Sequence, residues 1–160
     1  MTDARKFRLS LALIGVLVAV IAAMAYKFIV IGSSEKAADG RVTILLEPAE
    51  RAFVLTEMRD LVAGVQGISD ALSRDDMPGV AKAARGMGMA KSHDAPATIM
   101  GKLPLQFKTL AVGLHREFDT IALDAEAMRM PKHTLSQLSD ALQKCVACHA
   151  SYQFKAPPAQ

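Results

Sequence analysis

One stretch decides the fold: KHTLSQLSDALQKCVACHASYQF, residues 132–154. Apolar residues recur in it every three or four positions, which predicts a helix with one buried face. The stripe consists of Leu135, Leu138, Ala141, Leu142, Cys145, Cys148, His149 and Tyr152. Because the cysteines and the histidine continue the apolar stripe, we expect them to face the interior of a helical protein.

Residues 145–149 read C-V-A-C-H and contain both cysteines of the chain. C-x-x-C-H is the attachment motif of a c-type haem. On a helix, Cys145, Cys148 and His149 are three or four residues apart and share one face. Two thiols can then form thioethers with the two haem vinyl groups, while the imidazole of His149 binds the iron. We therefore predict one covalently attached haem c.

Three other uses of two nearby cysteines are a structural disulfide, a thioredoxin-like redox pair and half of a zinc site. A zinc site needs a second pair of ligands, and His93, His115 and His133 are scattered singly. A redox C-x-x-C is expected in a βαβ pattern, whereas this part of the chain is predicted to be helical. Haem attachment is therefore the preferred interpretation.

The rest of the chain predicts more helices. Helical spacing covers helix A at 48–73, helix B at 78–92 and helix C at 102–128, before helix D at 132–154. Aromatic residues make up only 5% and tryptophan is absent, which favours helices over a β-sandwich. We predict an all-α, up-down-up-down four-helix bundle preceded by an N-terminal transmembrane helix.

The N-terminus has the pattern of a membrane-targeting element. Basic residues up to Arg8 precede an uncharged run from Leu9 to Tyr26, and the apolar sequence resumes at Phe28. Positive charge before the run keeps that end in the cytoplasm, so the rest of the chain is delivered across the membrane. An uncleaved anchor is preferred over a signal peptide, although Ala23-Met24-Ala25 resembles a cleavage site.

These patterns divide the chain into five parts: a cytoplasmic N-terminus at 1–8, an anchor or signal peptide at 9–31, a linker at 32–46, the haem domain at 47–155 and a tail at 156–160. Residues 41–46 are apolar and could form a strand-like lead-in or a cap. Bacterial haem attachment takes place outside the cytoplasm, which agrees with an exported domain. We expect a single-pass protein of the bacterial inner membrane with its haem domain in the periplasm.

The net charge of the chain says little about which molecules it binds. The net charge is +3, of which residues 41–160 contribute only +1, with fourteen Lys or Arg against thirteen Asp or Glu. A nucleic-acid-binding protein needs a concentrated basic face, so we expect no nucleic acid. Near-neutral charge favours weak, transient docking to periplasmic or membrane-bound redox proteins.

In an up-down bundle, the start of helix A and the end of helix D lie together. Met58 is on the buried stripe of helix A near that end, which makes it the candidate for the second axial ligand of the iron. Met87 and Met89 are the next candidates, and core packing is the alternative role for all three. Arg51 and Arg59 are possible partners for the haem propionates.

The run C-V-A-C-H-A-S-Y at 145–152, the helix order and the position of Met58 resemble the cytochrome c-prime-type four-helix bundles. The resemblance covers about residues 47–155. Family members with a ligand on the first helix use a methionine near its start, which matches Met58, whereas other members leave that side of the iron open. The resemblance thus implies His149 and Met58 as axial ligands.

An iron with both axial positions filled suits electron transfer, so we expect a carrier of single electrons rather than an enzyme. If Met58 serves only in packing, the open position would bind a diatomic gas such as nitric oxide, and the protein would be a sensor or scavenger. A third possibility is a haem subunit that mainly assists assembly of a membrane complex. A homodimer is also possible.

Overall fold

The computed structural model describes residues 3–157. The first two residues of the predicted cytoplasmic segment and the last three of the predicted tail lie outside this range. The elements are, in chain order, α1 (Asp3–Tyr26), a π-helical segment (Lys27–Ile31), β1 (Ser34–Lys36), β2 (Val42–Leu45), α2 (Pro48–Ser73), α3 (Met77–Arg85), α4 (Met89–Ser92), α5 (Ala97–Lys102), α6 (Leu105–Ala127), α7 (Pro131–Ser151) and β3 (Tyr152–Lys155). The protein is mostly helical, as predicted.

The N-terminal helix is continuous from α1 into the π-helical segment. The part from Arg5 to Ile31 is 27 residues long and apolar enough to cross a membrane, and a signal sequence at this position has the same properties. Its large apolar side chains are exposed along its whole length, including Leu13, Ile21 and Phe28. This helix therefore contributes its apolar surface to no core within the described chain.

Helix A is confirmed with its predicted bounds as α2. Pro48 occupies the first turn, where the missing N–H is not needed. The backbone N–H of Glu47 donates to Glu50 Oε2 at 2.9 Å, which satisfies one group at the helix start.

Helix B is wrong as a single helix, because the chain breaks between α3 and α4. Gly88 is buried and lies directly before α4, at its N-cap, and the Met89 N–H donates to Asp119 Oδ2 at 2.9 Å. A Cβ on Gly88 would come within 1.8 Å of Asp119 Oδ1, so this carboxylate can approach only a glycine. The carboxylate of α6 therefore holds the break in place.

Helix C corresponds to one helix, α6, which begins three residues later than predicted, at Leu105, and ends one residue earlier, at Ala127. A short helix that was not predicted, α5, precedes it. Pro104 lies at the N-cap of α6, and Leu103 before it is extended with ψ 133°. Proline disfavours helical geometry in the preceding residue, which ends α5 at Lys102. The break turns a short helix, α5, against the start of α6.

The predicted helix D ends three residues early, at Ser151, because Tyr152–Lys155 forms β3. The predicted linker at 32–46 likewise contains β1 and β2. These strands form one sheet in the order β1-β2-β3, with β1 antiparallel and β3 parallel to β2. Val42 pairs with Tyr152, and Gln153 Nε2 donates to Thr43 Oγ1 at 2.9 Å. The strand-like form considered for 41–46 is thus observed.

The sheet brings several element ends together. It places β2, which leads into α2, beside β3, which continues from α7. Phe107, near the start of α6, makes edge-to-face contacts with Tyr152 and Phe154 at ring distances of 5.3 and 5.6 Å. We call this region, with the start of α2, the start of α6 and the end of α7, the sheet end of the molecule.

Two hydrophobic clusters make up the core. One lies at the sheet end and includes Ile44, Leu46 and Tyr152, of which Ile44 and Leu46 have no exposed surface. The other is formed by α2, α3, α6 and α7 around Ile68 and Phe118. Since Ile44 and Leu46 belong to the first cluster, the segment 42–46 is part of the folded domain.

Gly64 of α2 gives a test of the second cluster. A Cβ at this position would lie 2.1 Å from the sulfur of Met87, which is buried and cannot move away freely. We expect Gly64→Ala to destabilise the fold by about 1–3 kcal/mol, since overpacking outweighs the better helix propensity of alanine. Thermal unfolding of Gly67→Ala, where a Cβ is at ordinary contact distance from Ala83, is the control. Equal midpoints for both variants would contradict this packing.

Candidate cofactor site

A cavity of about 640 Å³ lies between the helices. Its lining comes from five helices and is mostly apolar: residues of α2 from Phe53 to Val65, of α4 and the loop behind it from Met89 to Ala95, of α5 from Ile99 to Leu103, of α6 from Phe107 to Phe118, and of α7 from Leu142 to His149. Sites for small organic cofactors are concave, mostly apolar and about 300–1,000 Å³ in volume. The cavity therefore has the size and surface of such a site.

All four residues predicted from the sequence line this cavity. Cys145, Cys148 and His149 lie on the last two turns of α7, and Met58 lies on α2. The chain places them together because β2 and β3 bring the start of α2 beside the end of α7. Cys145 packs against the Ile68 cluster, whereas Cys148 and Met58 both pack against the sheet-end cluster.

The two thiols are free and half-buried. Burial raises the pKa of the Cys145 thiol, and the charge of Glu117 adds to this effect. Burial, together with the neighbouring Cys145, raises the pKa of Cys148 to about 11. Both groups are thus neutral thiols at pH 7. His149 beside them lines the cavity but is exposed, whereas the sequence predicted that it faces the interior.

Because the pKa of Cys148 is raised, we predict that this thiol is alkylated slowly in the folded chain without attached haem. A rise from 9.0 to about 11 lowers the thiolate fraction at pH 8 about a hundredfold. Higher intrinsic nucleophilicity offsets part of this loss, so we expect iodoacetamide to react about tenfold more slowly than with the urea-unfolded chain. Peptide mass spectrometry at several pH values measures both rates. Equal rates in folded and unfolded protein would contradict the burial.

The methionines differ in their placement. Met58 is half-buried and lines the cavity, and Met89 lines it from α4. Met87 is buried in the Ile68 cluster over Gly64 and is absent from the cavity lining. Of the candidates for a second ligand, the structure therefore brings Met58 and Met89 to the cavity.

The three histidines outside the C-x-x-C-H motif differ in their contacts and in their distance from the cavity. His115 lines the cavity, and its Nδ1 lies 2.7 Å from the backbone oxygen of Met87. His133 lies 3.0 Å from Asp124 and outside the lining. His93 is exposed and ends α4, at one edge of the cavity. Thus His149 is the cavity histidine that belongs to the cysteine helix.

Polar groups at the cavity edge were not identified from the sequence. Lys91, Lys108 and Lys144 line the cavity. Lys91 pairs with Glu57 at 3.2 Å and Asp60 at 3.0 Å, which raises the pKa of the lysine and ties α4 to α2. Lys144 pairs with Glu117. Lysines are common on helix surfaces, so no sequence signal distinguishes these three.

The arginines suggested as propionate partners are elsewhere. Arg51 Nε donates to the backbone oxygen of Phe154 at 3.4 Å, and Arg59 donates to Thr56 Oγ1 at 2.9 Å. Neither lines the cavity. The positive charge beside the cavity comes from lysines instead.

No three His, Cys, Asp or Glu side chains gather into a metal site between residues 3 and 157. An iron held in a porphyrin between one histidine and one methionine needs no such cluster, because the four ring nitrogens supply the other ligands. The donors in the cavity are therefore two thiols, one imidazole and one thioether on an apolar background.

Comparisons of this chain with protein-family models, with curated proteins and with solved structures give no match.

Proposed function

We propose that this chain is a membrane-anchored monohaem c-type cytochrome that carries single electrons in the periplasm. The observation that carries the proposal is the cavity of about 640 Å³, which is lined by all three functional residues of the C-x-x-C-H motif and by Met58. Neither the motif nor the cavity alone has this specificity. A C-x-x-C-H sequence on a surface helix without a cavity would have no room for a porphyrin.

The residues present fit a haem. The cavity is mostly apolar, as a porphyrin face requires. Lys91 and Lys144 at its edge pair with carboxylates, so Lys108 is the cavity lysine whose charge could meet a propionate. In the proposed complex, Cys145 and Cys148 hold the ring through thioethers, and His149 and Met58 are the axial ligands. A haem with both axial positions filled supplies one-electron chemistry with no open coordination site. The mostly apolar lining would lower the polarity around the iron and thereby favour the less charged, ferrous state.

We also propose the cytochrome c-prime-type bundle as the arrangement behind this site. α3 packs against both α2 and α6, and α7 packs against α6 and α2, which is the neighbour pattern of a four-helix bundle. In this arrangement α4 and α5 are short helices inserted between the second and third long helices. Residues of both short helices line the cavity.

The N-terminal helix is proposed as an uncleaved anchor in the bacterial inner membrane, with residues 32–157 on the periplasmic side. The apolar helix ending at Ile31 and the basic residues before Leu9 support this orientation. An anchor confines the domain near membrane-bound and periplasmic redox partners and raises their effective concentration.

The anchor predicts that the membrane-extracted protein retains its N-terminal residues. Intact-mass measurement after detergent extraction will give the full-length chain, with or without its first methionine, plus its cofactor. Loss of the first twenty-five residues, with cleavage after Ala25, would show a signal peptide instead and would contradict the anchor.

The function is tested on protein produced together with a bacterial haem-attachment system. We expect denatured protein to keep its haem colour, and the native ferric and ferrous spectra to be low-spin. Added carbon monoxide or nitric oxide should leave the ferrous spectrum unchanged over minutes. A colourless denatured chain would contradict haem attachment, and a five-coordinate native spectrum would contradict the electron-transfer role.

One observation favours the alternative of a gas-binding haem protein. Met58 packs against the sheet-end cluster, a contact that would hold its side chain in place without any metal. If packing is its only role, His149 is the sole axial ligand and the opposite side is open to a diatomic gas. The same gas titration decides between the two functions.

A further inference from the structure

The anchor helix does not end in a free linker, because the residues after it dock on the folded domain. The backbone N–H of Ser33 donates to the Lys102 oxygen at 2.7 Å. Gly32 is buried with φ +68°, and a Cβ there would lie 2.2 Å from the same oxygen. Lys108 Nζ donates to the Ile29 oxygen at 3.5 Å. The end of the membrane helix thus packs directly on the corner between α5 and α6.

The length of the N-terminal helix determines where this corner lies relative to the bilayer. The segment Arg5–Ile31 has 27 residues, which at about 1.5 Å per residue gives roughly 40 Å. A bilayer with its headgroup layers is about 40–45 Å thick. With Arg5 at one surface, Ile29 and Ile31 therefore reach the opposite headgroup layer. Residues that touch Ile29 and Gly32 lie at the same level.

The corner has the composition of a membrane-surface contact. Met100 is 36% exposed and Leu105 is 44% exposed, although both are large and apolar. Lys108 follows in the next turn after Leu105, and Lys27 is exposed at the start of the π-helical segment. Apolar side chains flanked by lysines fit a bilayer that carries anionic lipids, since the chains enter the interface and the ammonium groups meet the phosphates.

We propose that the α5–α6 corner, formed by Met100, Leu105 and Lys108, rests on the lipid surface and fixes the orientation of the domain. Met100 and Lys108 also line the cofactor cavity. One edge of the cavity therefore opens at the membrane surface, so electrons exchange with a redox partner held in the same membrane. This inference rests on the proposed anchor and adds a surface and a direction to it.

The test uses the full chain in vesicles of phosphatidylcholine and phosphatidylglycerol. p-Benzoylphenylalanine replaces Leu105 in one variant and Met128 in the control. Met128 is exposed and follows the far end of α6, about 35 Å along the helix from Leu105, which is more than the thickness of a headgroup layer. After illumination, intact-mass spectrometry measures the fraction of protein that carries one phospholipid.

We expect a lipid adduct at position 105 that is at least about tenfold more abundant than at position 128. Lys108→Gln should lower the yield at position 105 in vesicles with phosphatidylglycerol and leave it unchanged in pure phosphatidylcholine. Vesicle flotation distinguishes failure of the docked corner from failure of the anchor. Protein that floats but gives no adduct at 105, or equal adducts at both sites, overturns the docked corner alone. Protein that does not float overturns the anchor as well. Neither readout depends on the haem.

Discussion

Replacing both Cys145 and Cys148 with serine will abolish covalent haem attachment. A serine hydroxyl does not add to a vinyl group at neutral pH, whereas the S–H of a cysteine can add across it to form a thioether. Without thioethers, any haem in the cavity is held only by axial ligands and contacts and is lost on denaturation. We expect haem-associated absorbance of the denatured chain below about one tenth of the wild-type value. Denaturing gels stained for haem and intact-mass spectrometry measure this directly.

The matched control is Ala147→Ser, which adds a hydroxyl between the two cysteines on the same helix. Ala147 is exposed and absent from the cavity lining. It should therefore keep full attachment. If the double serine variant retains haem through denaturation, or if the control loses it, the assignment of the thiols is wrong.

The second large effect is expected at Met58. Met58→Ala removes the thioether from the cavity and opens one side of the iron in the proposed site. We expect a change from a low-spin to a high-spin spectrum. Carbon monoxide should bind the ferrous variant about a hundredfold more tightly, because a ligand that fills the position about 99% of the time weakens binding by that factor. Optical titration measures both changes.

Two further variants separate ligation from packing. Met58→Leu keeps the volume of the side chain but has no sulfur, so it should behave like Met58→Ala in the gas titration while keeping more of the stability. Met89→Ala removes the other methionine that lines the cavity and should leave the spectrum low-spin. A low-spin Met58→Leu protein would exclude Met58 as the ligand and direct attention to Met89.

The long helices were predictable because their signals are local. α2 has the predicted bounds, since Pro48 begins it and apolar residues recur at helical spacing through Leu72. The break before α4 depends instead on Asp119, thirty residues away, which approaches the Gly88 position through the tertiary fold. β3 was missed for a similar reason, whereas β2 lies in the segment 41–46, for which a strand was one of the two forms considered. Tyr152 and Phe154 alternate with Gln153 and Lys155, a strand pattern, but four residues after a helix are too few to decide without their partner β2.

The site was predictable to the extent that it lies in one motif. Cys145, Cys148 and His149 share a helix face because of their spacing alone. Met58 required the topology, and the structure places it in the same cavity. The charged residues at the edge of the cavity could not be predicted from the sequence. Which basic side chains reach the cavity depends on how the helices pack against one another. The structure brings three lysines there, Lys91, Lys108 and Lys144, and neither of the suggested arginines, Arg51 and Arg59.

The parallel pairing of β2 with β3 has a consequence for the order of events during folding. It joins residues 110 positions apart, such as Thr43 and Gln153. Contacts that close so long a loop cost the most chain entropy, so we expect this sheet to form after the local helices. During that interval we expect Cys148, which packs against the sheet-end cluster, to be solvated and its thiol to have an ordinary pKa and greater reactivity. Closure of the sheet then buries this thiol. The late strand pair therefore gives the newly made chain a limited period in which Cys148 is open to modification.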